Sequence, residues 1–157
     1  GMTADLQRLK PDVPMPKGLT IEEVKDEEGL RDWCSVMAQV FETPDYATDA
    51  MLRSYRAVGF GKDKPCMHYL VRMEGLPVGT SSAIFGGSAV TLANVASLSD
   101  FRRQGIGSAA TVAPLVEAKS RGYRLGTLAA YNMGRGVYQG LGFVERCQMG
   151  IYIWSNK

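Results

Sequence analysis

The sequence predicts one α/β domain in which helices flank a mixed, mostly antiparallel central sheet. Its 157 residues are the length of one ordinary domain. With 45% hydrophobic and 22% charged residues, the chain has enough apolar side chains for a core, unlike a disordered or fibrous protein. A central stretch alternates with the period of strands, and the segments on either side repeat with the helical period. These patterns predict the order strand, helix, helix, three strands, helix, strand, helix, strand.

The first 18 residues are predicted to be an extended lead-in to this domain. Pro11, Pro14 and Pro16 lie there among charged residues, with no apolar period. Gly1 before Met2 is typical of a remnant of an expression tag. We therefore expect the single domain to span residues 19–157.

One strand and two helices open the predicted domain. Residues 19–24 alternate as a strand does, and Asp26 is placed to cap the helix that follows. A second helix, over residues 48–58, is expected to stop at Gly59. The first helix has an apolar stripe at spacings of three and four, formed by Leu30, Trp33, Met37, Val40 and Phe41.

Three strands are predicted next, over residues 67–73, 77–85 and 89–98. They are separated by Glu74-Gly75 and Gly86-Gly87, which are typical turn pairs. Short turns join antiparallel neighbours, so this stretch predicts an antiparallel meander.

The helical period returns at Ile106, in a helix that contains Pro114. A strand over residues 125–131, a short helix over 134–141 and a last strand over 149–154 complete the prediction.

Composition and charge argue against several classes of protein. The 18 Lys and Arg against 16 Asp and Glu give a net charge of +2, too balanced for binding nucleic acid through its phosphates. Cys34, Cys66 and Cys147 are far apart and His68 is the single histidine, so we expect no metal site. No apolar stretch is long enough to span a membrane. The sparse, odd cysteines indicate a reducing compartment, and we expect the cytoplasm.

The most informative stretch runs from a strand through a loop into a helix, with Arg102, Arg103, Gly105 and Gly107 in the loop. Helix N-termini carry unpaired amides and partial positive charge, and glycines let an anion approach the backbone closely. This pattern is typical of a phosphate cradle. A tight turn with solvated arginines remains an alternative reading.

A dinucleotide fingerprint is a weaker alternative for the same loop. Gly105 to Ala110 matches Gly-x-Gly-x-x-Gly/Ala. No carboxylate follows at residues 124–132, where that fold places its ribose ligand, and the remaining chain is too short for a second mononucleotide half.

Two motifs bring a family resemblance. Arg102 to Gly107 has the pattern Gln/Arg-x-x-Gly-x-Gly/Ala and resembles the pyrophosphate loop of the GCN5-related N-acetyltransferases, the GNAT superfamily. Val137 to Phe143 resembles that family's Tyr-x-x-x-Gly-Phe segment. The predicted element order from Leu19 to Trp154 is also similar to the family's.

The resemblance implies acetyl-CoA as the cosubstrate and no metal. The backbone amides of residues 103–108, together with arginine side chains, would hold the pyrophosphate. The residues assigned to pyrophosphate binding are Arg102, Arg103, Gln104, Gly105, Ile106, Gly107 and Ser108. Val95, Ala96 and Ser97 would pair with the pantetheine arm as a strand does. Gly134 occupies a small-residue position beside the cofactor, and Asn132 lies one position from where the family often has Asn or Ser.

Two catalytic roles follow from the same resemblance. Tyr138 is the candidate general acid, since a phenol near the sulfur can protonate the departing thiolate. The amide of Ala96 is the candidate donor to the oxyanion. The segment between the first two helices, residues 41–46, would shape the acceptor pocket, although it also reads as an ordinary loop. No general base is identified.

The resemblance therefore implies an acyltransferase that moves an acetyl group from acetyl-CoA to a primary amine by direct attack. The acceptor is a small-molecule amine or a protein N-terminus or lysine; neither nucleic acid nor membrane is expected as a partner, and a homodimer is left open. A non-catalytic acyl-CoA-binding sensor or regulatory module remains the alternative, and a non-amine acceptor or a longer acyl-CoA also remains open.

Overall fold

A seven-stranded sheet with helices on both faces forms the fold of the computed structural model, which describes residues 1–152 and 154. The strands are β1 (Met2–Asp5), β2 (Leu19–Glu23), β3 (Cys66–Met73), β4 (Leu76–Gly86), β5 (Ala89–Ser97), β6 (Leu125–Leu128) and β7 (Val144–Glu145). The helices are α1 (Glu27–Phe41), α2 (Asp45–Val58), α3 (Ile106–Ser120) and α4 (Arg135–Gly140). Short 3-10 helices cover Leu6–Arg8 and Ser99–Phe101.

The strand order across the sheet is β2-β3-β4-β5-β6-β1-β7. Strands β5 and β6 pair in parallel, and every other neighbouring pair is antiparallel. The predicted mixed, mostly antiparallel sheet is therefore confirmed, with the predicted meander as β3, β4 and β5.

Helices α1 and α2 form where the sequence signals predict them. The side chain of Asp26 accepts a hydrogen bond from the Gly29 amide at 2.8 Å, so the first turn of α1 is capped as expected. Helix α2 begins at Asp45, three residues before the predicted start, because Pro44 already occupies its N-cap. It ends at Gly59, whose φ of 78° suits glycine.

The sheet separates two helical layers. On β3, Tyr69 and Val71 pack in clusters with residues of α3, whereas Leu70 packs with residues of α1 such as Trp33. This alternation is the two-residue period of a strand buried on both faces. Both helical layers therefore depend on the same central strands.

The N-terminal lead-in is a correction to the sequence interpretation. Residues 2–5 form β1, which lies between β6 and β7, and Leu6 is fully buried in the core. The prolines explain why residues 11–16 form no helix or strand. The four residues of β1 are too short a run for their alternation to predict a strand. Strand β1 is held by hydrogen bonds to segments near the other end of the chain.

The C-terminal strands are the second correction. The predicted strand over residues 149–154 is wrong in its described part, since 149–152 and 154 have no regular structure; residue 153 lies outside the described residues. The last strand is β7, which pairs with β1, and β6 stops at Leu128 instead of residue 131. Apolar alternation indicates side chains that suit a strand, but a strand also needs a partner edge.

Among the described helices, none has the length and apolarity to cross a membrane.

Candidate active site

A cavity of about 920 Å³ opens where β5 and β6 separate. The two strands pair only from Ala89↔Leu125 to Leu92↔Leu128, after which β6 ends and β5 continues to Ser97. Beyond Leu92, the β5 edge that faced β6 has no strand partner in the described chain. Its amides and carbonyls are thus available to a ligand that hydrogen-bonds like a strand.

A β-bulge shapes this part of β5. The pairs Thr80↔Ala96 and Ser82↔Ala93 place two β5 residues, Asn94 and Val95, opposite one residue of β4. Asn94 has a φ of 55°, in the left-handed region that non-glycine residues rarely adopt. The bulge interrupts the regular ladder beside the residues that line the cavity.

Buried polar side chains hold Asn94 in this conformation. Thr80 Oγ1 donates to the Asn94 carbonyl at 2.8 Å, and the Asn94 amide donates to Ser82 Oγ at 3.1 Å and to the Tyr55 hydroxyl at 3.3 Å. Ser82 Oγ is in turn 2.8 Å from Nδ1 of His68. The bulge is therefore tied to three other elements.

His68 belongs to that support and does not line the cavity. It is buried in β3 and packs against the rings of Trp33 and Tyr55. Burial lowers the pKa of His68 to about 4, because the charged imidazolium loses its hydration. The imidazole is neutral at physiological pH.

The loop before α3 presents the N-terminus of that helix to the cavity. Arg103 has a φ of 60° and Gly105 a φ of 83°, so the chain turns sharply into the helix. Gly105 is the N-cap and no side chain caps the first turn, which leaves the amides of Ile106, Gly107 and Ser108 without an intrahelical partner. Two arginines and a helix dipole favour an anion here.

Tyr138 comes to the cavity from α4. Its side chain is buried, and its hydroxyl makes no hydrogen bond with the residues that the structure describes. Burial raises the pKa of the Tyr138 phenol, so it stays protonated at neutral pH. A Cβ on Gly134 would lie 2.9 Å from the Tyr138 ring, so the glycine leaves room for this ring.

Most of the residues predicted from sequence meet around this cavity. Gln104 and Asn132 do not line it: both are exposed, and the Gln104 side chain donates to the Asp100 carbonyl instead. Those that line it are Val95, Ala96, Ser97, Arg102, Arg103, Gly105, Ile106, Gly107, Ser108, Gly134 and Tyr138.

Several lining residues were not predicted from the sequence. Asn94 carried one signal, an asparagine inside an otherwise apolar strand pattern, which suits a bulge. Tyr131 and Met133 flank the predicted Asn132 and line the cavity in its place. From α1 and α2, the lining residues that were not predicted are Met37, Val40 and Met51.

Two further predictions concern the segment between α1 and α2 and the metal site. From the segment over residues 41–46, Phe41 and Thr43 reach the cavity, whereas Glu42, Asp45 and Tyr46 do not. Among the described residues, no three His, Cys, Asp or Glu side chains cluster as a metal site would require.

Solved structures show what this arrangement is similar to. A GCN5-related N-acetyltransferase from Kribbella flavida superposes with a TM-score of 0.67 at 23% identity, covering 91% of this chain and 52% of that one. A predicted acetyltransferase from Clostridium acetobutylicum, solved with acetyl-CoA, gives 0.70 at 15% identity, covering 86% and 96%. The aminoglycoside N-acetyltransferase AAC(6')-Iy in complex with CoA gives 0.71 at 19% identity, covering 90% and 98%.

This chain thus spans about half of the Kribbella protein and nearly the whole of the other two. No protein-family model matches the sequence, and no curated protein matches it significantly. At these identities the likeness concerns the backbone arrangement. The chain has the fold of the GCN5-related N-acetyltransferases.

Proposed function

We propose that this protein is an acetyl-CoA-dependent N-acetyltransferase that transfers the acetyl group to a primary amine by direct attack. One observation carries the proposal: a single cavity is lined by the free edge of β5, the uncapped N-terminus of α3 and Tyr138. The fold is shared with proteins solved with acetyl-CoA or CoA, which supports the choice of cosubstrate.

The residues around the cavity fit the chemistry of such a cosubstrate. Arg102, Arg103 and the α3 amides would hold the pyrophosphate, and Val95 to Ser97 would hydrogen-bond the pantetheine amides. The cavity volume of about 920 Å³ lies in the usual range for sites that enclose small ligands. A Cβ placed on Gly107 would have no neighbouring atom within 4 Å, so the space above this glycine is free for phosphate oxygens.

The proposed reaction uses two groups of this chain. As the amine nitrogen attacks the thioester carbon, a backbone amide on the open edge of β5 stabilises negative charge on the carbonyl oxygen. A C–N bond forms, the C–S bond breaks, and Tyr138 gives its proton to the leaving sulfur. The amine loses a proton to water, which returns one to the phenolate, so protons balance over the cycle.

Calorimetric titration with acetyl-CoA tests the proposal, with Gly107→Asp as the decisive variant. An aspartate in the first turn of α3 interacts favourably with the helix dipole, which stabilises the fold by about 0.5 kcal/mol. Its carboxylate would occupy the space proposed for the phosphate and would repel it. We expect the parent to bind and Gly107→Asp to lose at least tenfold in affinity without losing stability.

Gly136→Asp is the matched control, because Gly136 is also in the first turn of a helix with open space around it and does not line the cavity. It should bind acetyl-CoA like the parent. A folded parent that binds no acetyl-CoA, or a Gly107→Asp variant that binds as the parent does, would contradict the proposed site.

A further inference from the structure

The side of the cavity formed by α1 and α2 is mostly apolar. Its α1 and α2 wall is Met37, Val40, Phe41 and Met51, with Thr43 as the polar member. Phe41, Tyr131 and Met133 line the same cavity although their side chains are exposed, Phe41 to 51%. Large apolar side chains gathered at one cavity, in contrast to single ones scattered over a surface, indicate a ligand with an apolar body.

The charges around the cavity point the same way. Among the described lining residues no Asp or Glu occurs. The nearby carboxylates Glu42 and Asp45 are exposed and lie outside the lining. An acceptor carrying several ammonium groups would lose water there without gaining a counter-charge.

We propose that the acceptor is a primary monoamine on an apolar alkyl or aralkyl body, an inference that rests on the proposed acetyl transfer. Polycationic acceptors, such as the aminoglycosides named for one structural neighbour, do not match this lining. The apolar body contacts the α1 and α2 wall, and the nitrogen is directed toward the β5 bulge.

The same lining prepares the amine for attack. Only the neutral amine is a nucleophile, and desolvation in apolar surroundings disfavours the ammonium form. A carboxylate at the wall would stabilise that ammonium form instead. The acid-free wall therefore favours the reactive amine without a dedicated base from the lining residues.

Initial rates with different amines test the proposed acceptor class. Initial rates with acetyl-CoA are measured for phenethylamine, spermidine, kanamycin and a lysine-containing peptide, and acetyl-CoA binding is measured separately by calorimetry. We expect kcat/KM for phenethylamine to exceed each of the other values at least tenfold. If acetyl-CoA binds and a polycation or the peptide is preferred, the acceptor inference is overturned while the proposed function stands.

If acetyl-CoA does not bind, the proposed function itself fails, and the acceptor inference fails with it. If acetyl-CoA binds but none of the amines is acetylated, transfer to an amine is rejected, again together with the inference. The acetyl-CoA titration therefore distinguishes failure of the acceptor inference from failure of the proposed function.

Two lining variants and one control variant test whether the α1 and α2 wall determines which amine is accepted. Phe41→Ala should lower kcat/KM for phenethylamine about tenfold with acetyl-CoA affinity unchanged, whereas Leu76→Ala, which removes a side chain 62% exposed on β4 and outside the lining, should change neither. Thr43→Asp adds a carboxylate to the wall and should raise the spermidine-to-phenethylamine ratio of kcat/KM about tenfold. If Phe41→Ala left kcat/KM for phenethylamine unchanged and Thr43→Asp left the ratio unchanged, the assignment of this wall to the acceptor would be contradicted.

Discussion

Tyr138 and His68 show how position relative to the cavity separates two buried titratable residues. Both are buried and both have shifted pKa values, but Tyr138 lines the cavity whereas the ring of His68 contacts Ser82, which supports the β5 bulge. Burial favours the neutral form of each. The neutral phenol holds a proton to donate, and the neutral imidazole supports a hydrogen-bond network.

Tyr138→Phe tests the proposed acid. We expect kcat to fall about a hundredfold, the scale of general acid catalysis, with acetyl-CoA affinity within twofold of the parent. Because the hydroxyl has no hydrogen-bond partner in the described chain, stability should change by less than about 0.5 kcal/mol. Steady-state kinetics and calorimetry provide the measurements. An unchanged kcat would remove Tyr138 from the mechanism, and binding without turnover in the parent would favour the acyl-CoA-binding module.

His68 predicts a pH-dependent stability. Its pKa is about 6.5 in the unfolded chain and about 4 when buried, so the unfolded chain binds the extra proton between these values. The free energy of unfolding therefore falls as the pH drops from 7 to 4, and this group contributes about 3 kcal/mol to the loss. Urea unfolding at both pH values should show that His68→Gln loses about 3 kcal/mol less than the parent. Equal losses would contradict the buried, neutral imidazole.

At the scale of elements, β1 decides how the C-terminal half is assembled. It fills the position between β6 and β7, and β7 has two residues paired to it. Leu6, directly after β1, packs where a Cβ on Gly126 would be 3.0 Å from it. The N-terminal segment is thus part of the core.

Leu6→Ala tests this structural role. Removing a fully buried leucine is expected to lower the free energy of unfolding by about 2 to 5 kcal/mol, through lost burial and a cavity. Leu76→Ala, at an exposed position, should change it by less than about 0.5 kcal/mol. Chemical denaturation measures both. If Leu6→Ala were as mild as the control, the N-terminal segment would be the dispensable lead-in that its prolines and charges suggest.

At the scale of the whole molecule, the cavity lies at the single parallel contact of the described sheet, between β5 and β6. The antiparallel meander, with α1 and α2, supplies one wall; α3, α4 and the end of β6 supply the other. A ligand in this cavity touches both halves, so its binding should stabilise the entire fold.

Thermal unfolding tests that coupling. Acetyl-CoA at a hundredfold excess over its Kd should add about 2.7 kcal/mol to the free energy of unfolding, which corresponds to a Tm rise of about 5 to 10 °C for a chain of this size. At the same acetyl-CoA concentration, Gly107→Asp, with at least tenfold lower affinity, should gain at most about 1.4 kcal/mol and therefore at most about half of this Tm rise. Gly136→Asp should keep the full rise. A rise of equal size in Gly107→Asp would place the cofactor elsewhere.

Local signals were sufficient for much of this protein. Asp26 capping, the apolar stripe of α1, the turn pairs of the meander and the loop before α3 all depend on residues close together in the chain. For the same reason the residues from Arg102 to Gly107 by themselves predict a strand-to-helix turn typical of anion binding. The sequence alone therefore determined the fold class, most element positions and the core of the candidate site.

Tertiary structure alone decided features that join distant segments. Strand β1 exists because β6 and β7 flank it, whereas residues 149–152, which alternate like a strand, have no partner edge in the described chain. The bulge at Asn94 depends on Thr80, Ser82 and Tyr55 from other elements. The wall of α1 and α2, which lacks Asp and Glu in the described lining, likewise depends on which helix faces turn inward. Such contacts follow from packing in three dimensions, which local periodicity does not encode.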